Sequence, residues 1–279
     1  MFSALFVNMV RAGETSGTLD EILDRLATYL EKTSNLQKKI RSALIYPIVV
    51  MTMAIVVTLL LIIKVIPVFK DIYAGFGAAL PMPTQMLINV SDFVRRYFFI
   101  GLILVGLLIF AIARAAKTEK GRFFLDRLKL KLPVFGPLMR KVAISKFTRT
   151  FSTLIKSGVP ILSSLDIVGK TSGNMVVEKA VEDVKINVRD GENIAEPLAR
   201  SKIFPPMVTR MVSAGEKSGE LEKMLSKVSE FYDAQVDASV SGLTSMIEPL
   251  IIAFLGIIIG TIVICMFLPI FRMSEIISL

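Results

Sequence analysis

Two glutamates in matching surroundings are the first candidates for chemistry. Glu14 lies in A-G-E-T-S-G-T-L (Ala12 to Leu19), and Glu216 lies in A-G-E-K-S-G-E-L (Ala214 to Leu221). A carboxylate can move a proton, but a lone one has no second acid or base to work with. The chain contains no histidine, which removes the usual base, the usual proton switch and the commonest metal ligand. A carboxylate at a helix corner can instead accept backbone N–H bonds at the start of the helix that follows. Each glutamate follows one glycine and precedes another: Gly13 and Gly17 in the first motif, Gly215 and Gly219 in the second. Such glycines allow a positive-φ helix cap and close packing of the next helix. The motif therefore reads as a structural corner, with a partner-binding corner as the alternative.

The other reactive side chains are sparse. Lys64 and Glu248 are charged groups close to the long apolar segments, and an ionisable group inside a membrane is a functional candidate. Both lie close to a segment end, where they can reach the headgroups. The single cysteine, Cys265, rules out a disulfide framework within one chain and leaves no structural zinc set. No phosphate loop, dinucleotide fingerprint, zinc-protease motif or nucleophile elbow is present. The residues predict no catalytic group, no cofactor and no metal.

The elements that hold these residues are duplicated. Residues 8–71 align without a gap onto residues 210–273, an offset of 202, with fifteen identical positions that include Gly13, Glu14, Gly17, Pro47 and Pro67. Each copy reads as a corner, an amphipathic helix, a proline (Pro47 or Pro249), about twenty apolar residues and a second proline (Pro67 or Pro269). Glu248 precedes Pro249 where the first copy has Tyr46 before Pro47, so the proline is shared and the charge is not. The apolar fraction is 53%. Three segments are long enough to span a bilayer: Ala43–Ile63, the shorter Tyr97–Ala113, for which a buried core helix is the competing reading, and Leu250–Phe271. Gly256 and Gly260 form a G-x-x-x-G in the third, which lets another helix approach closely.

Net charge is +9, and residues 114–149 account for it, with eleven Lys/Arg against Glu119 and Asp126. That stretch directly follows the second span, so anionic lipid at the inner leaflet is the simplest partner, and nucleic acid is excluded for lack of any recognition motif. The distribution of Lys and Arg predicts a cytoplasmic N-terminus and a C-terminus on the outer side. The predicted organisation has seven parts: the end of a first cytoplasmic helical bundle (1–42), span one (43–66), an outer-side segment (67–96) and span two (97–113), then a basic linker with a second, six-helix bundle (114–246), span three (247–271) and an outer-side tail (272–279); the resemblance given below makes the outer side the periplasm. Within that bundle the helical period starts at Lys146. Breaks fall at Ser157-Gly158 before Pro160, at Gly173-Asn174, at Asp190-Gly191, and across a turn from Ala214 to Gly219. Equivalents of the first four helices are not found ahead of Met1, and two helices do not bury the face that six would cover. The expectation is an N-terminally shortened protein.

Several long runs resemble one family. They are Phe147 to Ile167, with L-I-K-S-G-V-P-I-L-S-S-L-D-I at its end, G-E-N-I-A-E-P-L from Gly191, F-P-P-M-V-x-x-M-V-S-A-G-E-K-S-G-E-L from Phe204, E-P-L-I-I-A-F-L-G-I-I-I-G from Glu248, and L-P-I-F from Leu268. They resemble the inner-membrane platform proteins of type IV pilus and type II secretion machines, the GspF/PilC family, over essentially the whole chain. Thr171-Ser172-Gly173-Asn174 and the third span look closer to the pilus branch. The resemblance implies an all-α polytopic protein with duplicated cytoplasmic bundles, the first incomplete, and three transmembrane helices. It implies a bacterial inner-membrane homo-oligomer that contacts a hexameric cytoplasmic ATPase, pilins or pseudopilins and other assembly proteins. It implies a non-catalytic role in pilin insertion or extraction. A small transporter or channel subunit is the alternative from another class, disfavoured by spans with few polar groups.

Overall fold

The computed structural model describes residues 4–74, 80–133 and 135–277. Every regular element among them is helical: α1 (Ala4–Ser16), α2 (Leu19–Leu60), a π-helical turn (Leu61–Val65), α3 (Ile66–Ala74), α4 (Met82–Ala115), α5 (Glu119–Lys131), α6 (Phe135–Lys156), α7 (Ile161–Thr171), α8 (Met175–Arg189), α9 (Ala195–Arg200), α10 (Pro206–Ser218) and α11 (Leu221–Ile277). The all-α expectation holds among the described residues. The chain forms two compact units, one from Met1–Arg41 with Ala115–Gly242, the other from Ser42–Arg114 with Leu243–Leu279.

In the first unit the helices follow from caps and apolar stripes. Asn174 caps α8 by accepting from the Val176 and Val177 N–H groups, and Val177, Ala180, Val181 and Val184 bury one face. Pro206 opens α10 at its first turn, where a missing N–H costs nothing. Gly158, Gly173, Gly191 and Gly219 all have positive φ and end helices where the breaks were expected. Pro160 is the N-cap of α7. The corner before α11 is narrower than the expected turn, because α10 runs on through Ala214 to Ser218 before Gly219 reverses the chain. The first bundle helix is longer than expected, starting at Phe135 rather than Lys146, and the basic linker contains the helix α5.

One core runs through this unit. Phe147 and Phe151 lie in it with no exposed surface, and the Phe147 ring packs 4.7 Å from Phe204 and 5.7 Å from Phe151. Leu5 and, from the first repeat copy, Met9, Ile22 and Leu26 belong to the same core. Part of the first copy's apolar face stays open. Leu23 and Leu30 are 44% and 53% exposed, while their repeat equivalents Leu225 and Tyr232 are 0% and 6% exposed.

In the second unit three helices are long and apolar enough to cross a membrane, within Leu19–Ile72, Met82–Ala115 and Leu221–Phe271. None of the most apolar window of α4 is buried, which argues against a buried core helix there. Pro47 lies inside α2, and Pro249 and Pro269 lie inside α11, without breaking them. Residues 66–74 and 82–96, within or beside the connecting segment, are helical. Ile66, Ile88, Ile262 and Met266 make a small core in this unit.

Candidate functional site

The two corners share one geometry. Gly17 and Gly219 have φ of 71° and 74°. A Cβ on Gly13 would meet Ile22 at 3.1 Å and the Leu19 backbone at 3.2 Å, and one on Gly215 would meet the Leu221 backbone at 2.8 Å and Met224 at 3.2 Å. Those contacts are repeat equivalents, since Leu19 and Ile22 correspond to Leu221 and Met224. Glu216 does not cap the following helix. Its carboxylate accepts the Ile194 N–H and, at 3.0 Å, the Ala195 N–H, so it holds the start of the earlier helix α9. Neither backbone group can find a partner in its own first turn, and a carboxylate there also complements the helix dipole. Glu14 is exposed.

The second unit repays the prolines with hydroxyls from α4. Pro269 has no N–H, so it leaves the Cys265 carbonyl four residues back without its helical donor. Thr84, buried, donates to that carbonyl at 2.5 Å. In the first copy the Ile66 N–H goes to the Leu61 carbonyl across the π turn, and Pro67 has none to give, so the Ile62 carbonyl is the orphan. Ser91 donates to it. Thr84, Ile88 and Ser91 are the buried residues of α4 and share one face. Sequence reasoning found the prolines and missed their partners; a Thr and a Ser seven apart in an apolar helix were the available signal. Gly256 and Gly260 have nothing within 4 Å of a built Cβ, so no helix of this chain packs on the G-x-x-x-G face among the described residues. Lys64 and Glu248 are exposed, and Cys265 is a buried free thiol.

A polar cleft of about 250 Å³ opens in the first unit, between α2, α6 and α11, with Arg25, Arg149, Lys156, Glu222 and Asp233 in its lining. Arg149 is buried, pairs with Asp233, and leaves its Nη1 without a hydrogen-bond partner. Burial, reinforced by the Arg149 charge, pushes the nearby Lys146 ammonium below its ordinary pKa. Four basic and four acidic side chains line the cleft, so its charge is balanced. Among the described residues no cluster of His, Cys, Asp or Glu could hold a metal ion.

A helical bundle joined to three helices long and apolar enough to cross a membrane defines, among the described residues, the class of all-α polytopic membrane proteins. The model of the family "Type II secretion system (T2SS), protein F" matches residues 1–67 and 147–269, and the chain belongs to that family. It is 46% identical over 98% of its length to the type IV pilus assembly protein PilC of Myxococcus xanthus, covering 66% of that protein. It is 49% identical over 98% of its length to PilC of Thermus thermophilus, covering 67% of it. Against the type II secretion system protein F of Vibrio cholerae the identity is 33%, over all of this chain and 68% of the relative. The chain thus spans about two thirds of the length of these curated relatives.

Proposed function

We propose that this chain is a non-catalytic platform protein of a type IV pilus assembly machine in the bacterial inner membrane. The observation that carries this reading is the gap in identity between the pilus proteins, 46% and 49%, and the secretion protein, 33%. The equivalent platform of a type II secretion system is the second reading, favoured by the family model. The chain sits with its N-terminus and the 114–246 bundle in the cytoplasm and its C-terminus outside. The bundle engages a hexameric ATPase, and the spans meet pilins and other assembly proteins. The helix α11, unbroken from Leu221 to Ile277, supports mechanical coupling, because it joins bundle residues to span residues without a loop. The open Gly256 and Gly260 face supports packing between copies in a homo-oligomer, and the basic charge of residues 114–149 supports contact with anionic lipid.

The test is retention of the extension and retraction ATPases of the same genome on the full chain in detergent. The full chain is needed because residues 114–246 alone would lose Leu5, Met9, Ile22 and Leu26 from the core. Retention of a pilus motor, lost on charge reversal in the bundle, is expected. Retention of only a secretion motor would reassign the machine, and retention of none would remove the coupling role.

A further inference from the structure

We propose that one face of α5 is a membrane-interface anchor that lies on anionic lipid headgroups. The inference rests on the reading of α4 as a membrane span, and it assigns the lipid contact within the basic stretch to particular residues.

The helix has two unlike faces. Its inner face is fixed to the bundle. Asp126 is buried, accepts the Met175 N–H at 3.0 Å at the start of α8, and pairs with Lys129. The Lys179 ammonium sits 4.6 Å from the centre of the Phe123 ring. The opposite face carries Phe124, Leu128 and, just past the helix end, Leu132, which are 64%, 48% and 41% exposed. Their spacing of four residues makes a single stripe. Lys120, Arg127 and Lys131 are exposed and lie within about 60° of Phe124 on the same side of the helix, at 100° per residue. Apolar residues flanked by cations are what an interfacial helix presents to a bilayer: the rings and alkyl chains enter the headgroup–acyl boundary and the cations pair with lipid phosphates.

Position favours lipid over a soluble partner. Only Ala116, Lys117 and Thr118 separate the end of α4 from the start of α5. Four residue steps reach at most about 14 Å. Thr118 caps α5 by accepting the Gly121 N–H at 3.2 Å, which fixes the start of the helix within that reach. A helix held that near a span exit, with an exposed apolar stripe and cations beside it, has the bilayer surface as its available apolar phase.

The experiment places nitroxide labels on the full chain in a Cys265→Ser background, reconstituted in nanodiscs of neutral phosphatidylcholine or of phosphatidylcholine with phosphatidylglycerol. Labels go at Phe124→Cys and Leu128→Cys, with Glu196→Cys of α9 as the aqueous reference and Phe110→Cys of α4 as the span reference. Relaxation by oxygen and by a water-soluble nickel chelate reads depth. In anionic discs the labels at positions 124 and 128 are expected at the headgroup–acyl boundary, and Arg127→Glu with Lys131→Glu is expected to return them to water. If positions 124 and 128 remain as water-accessible as 196 while 110 is lipid-embedded, the anchor is overturned and the span reading survives. If 110 is itself aqueous, the span reading fails, and the anchor with it. Shielding that is equal in neutral discs and unaffected by the charge reversals would mean a protein contact, and would also overturn the proposal.

Discussion

Glycine at position 215 has no room to change. A Cβ would sit 2.8 Å from the Leu221 backbone, whereas at Gly13 the nearest atoms, Ile22 Cγ1 at 3.1 Å and the Leu19 backbone at 3.2 Å, need give by only a few tenths of an ångström. Gly215→Ala is therefore expected to destabilise the bundle by about 1–3 kcal/mol, as overpacking does, and Gly13→Ala by clearly less, in denaturant melts followed by circular dichroism. Equal losses at the two sites would refute the difference in packing. Glu216→Gln weakens the bonds to Ile194 and Ala195 and should cost about 1.5–3 kcal/mol, while the exposed Glu14→Gln should cost nearly nothing in the same melts. The partner of Glu216 was not legible in the sequence, because a carboxylate beside a corner faces two helix starts and only the fold selects one. Asp166 gives the pH dependence. Hydrogen bonds from Lys170 and from Lys185 of α8 hold its carboxyl below the ordinary carboxylate pKa. Its folded pKa is thus lower than its unfolded one, so its contribution is complete above the unfolded value and fades as pH falls through the folded one. Asp166→Asn should flatten the loss of thermal stability on the acid side and leave the slope near neutral pH unchanged.

Helices in this chain are joined by what each lacks. The two prolines that close the repeat copies each orphan a carbonyl, and α4 supplies a hydroxyl to both. Thr84→Val should lower the thermal stability of the detergent-solubilised chain by about 1 kcal/mol, the usual net worth of one hydrogen bond. Adding Pro269→Ala restores an N–H for the Cys265 carbonyl, so the double variant should recover most of the loss. A fully additive pair of losses would show that Thr84 does not serve the proline gap. Element identity was largely readable: Pro205-Pro206 and the glycines at 158, 173, 191 and 219 mark helix ends by steric rules that need no neighbours. The helix α5 was not, because its charge masked an apolar stripe that a single face carries, and its cap at Thr118 is a weak signal alone.

Across the whole molecule, the first repeat copy contributes to the same core as the bundle of the second. Leu26→Asp is accordingly expected to unfold that bundle cooperatively, seen as loss of the thermal transition, although Leu26 lies more than one hundred residues from Phe147 in the chain. A bundle that kept its transition would show that the first copy is only an appendage. By itself the sequence determined the helical class, the three apolar segments, the family and most of the helix breaks. All of these depend on local sterics, hydrophobic period, length or motif wording, which the chain carries without its fold. The tertiary structure alone decided which helix Glu216 holds, which hydroxyls answer Pro67 and Pro269, that Arg149 is buried beside a polar cleft, and which side of α5 faces outward. Each of these is a meeting of groups distant along the chain, and neither spacing nor composition encodes which surface will be opposite which.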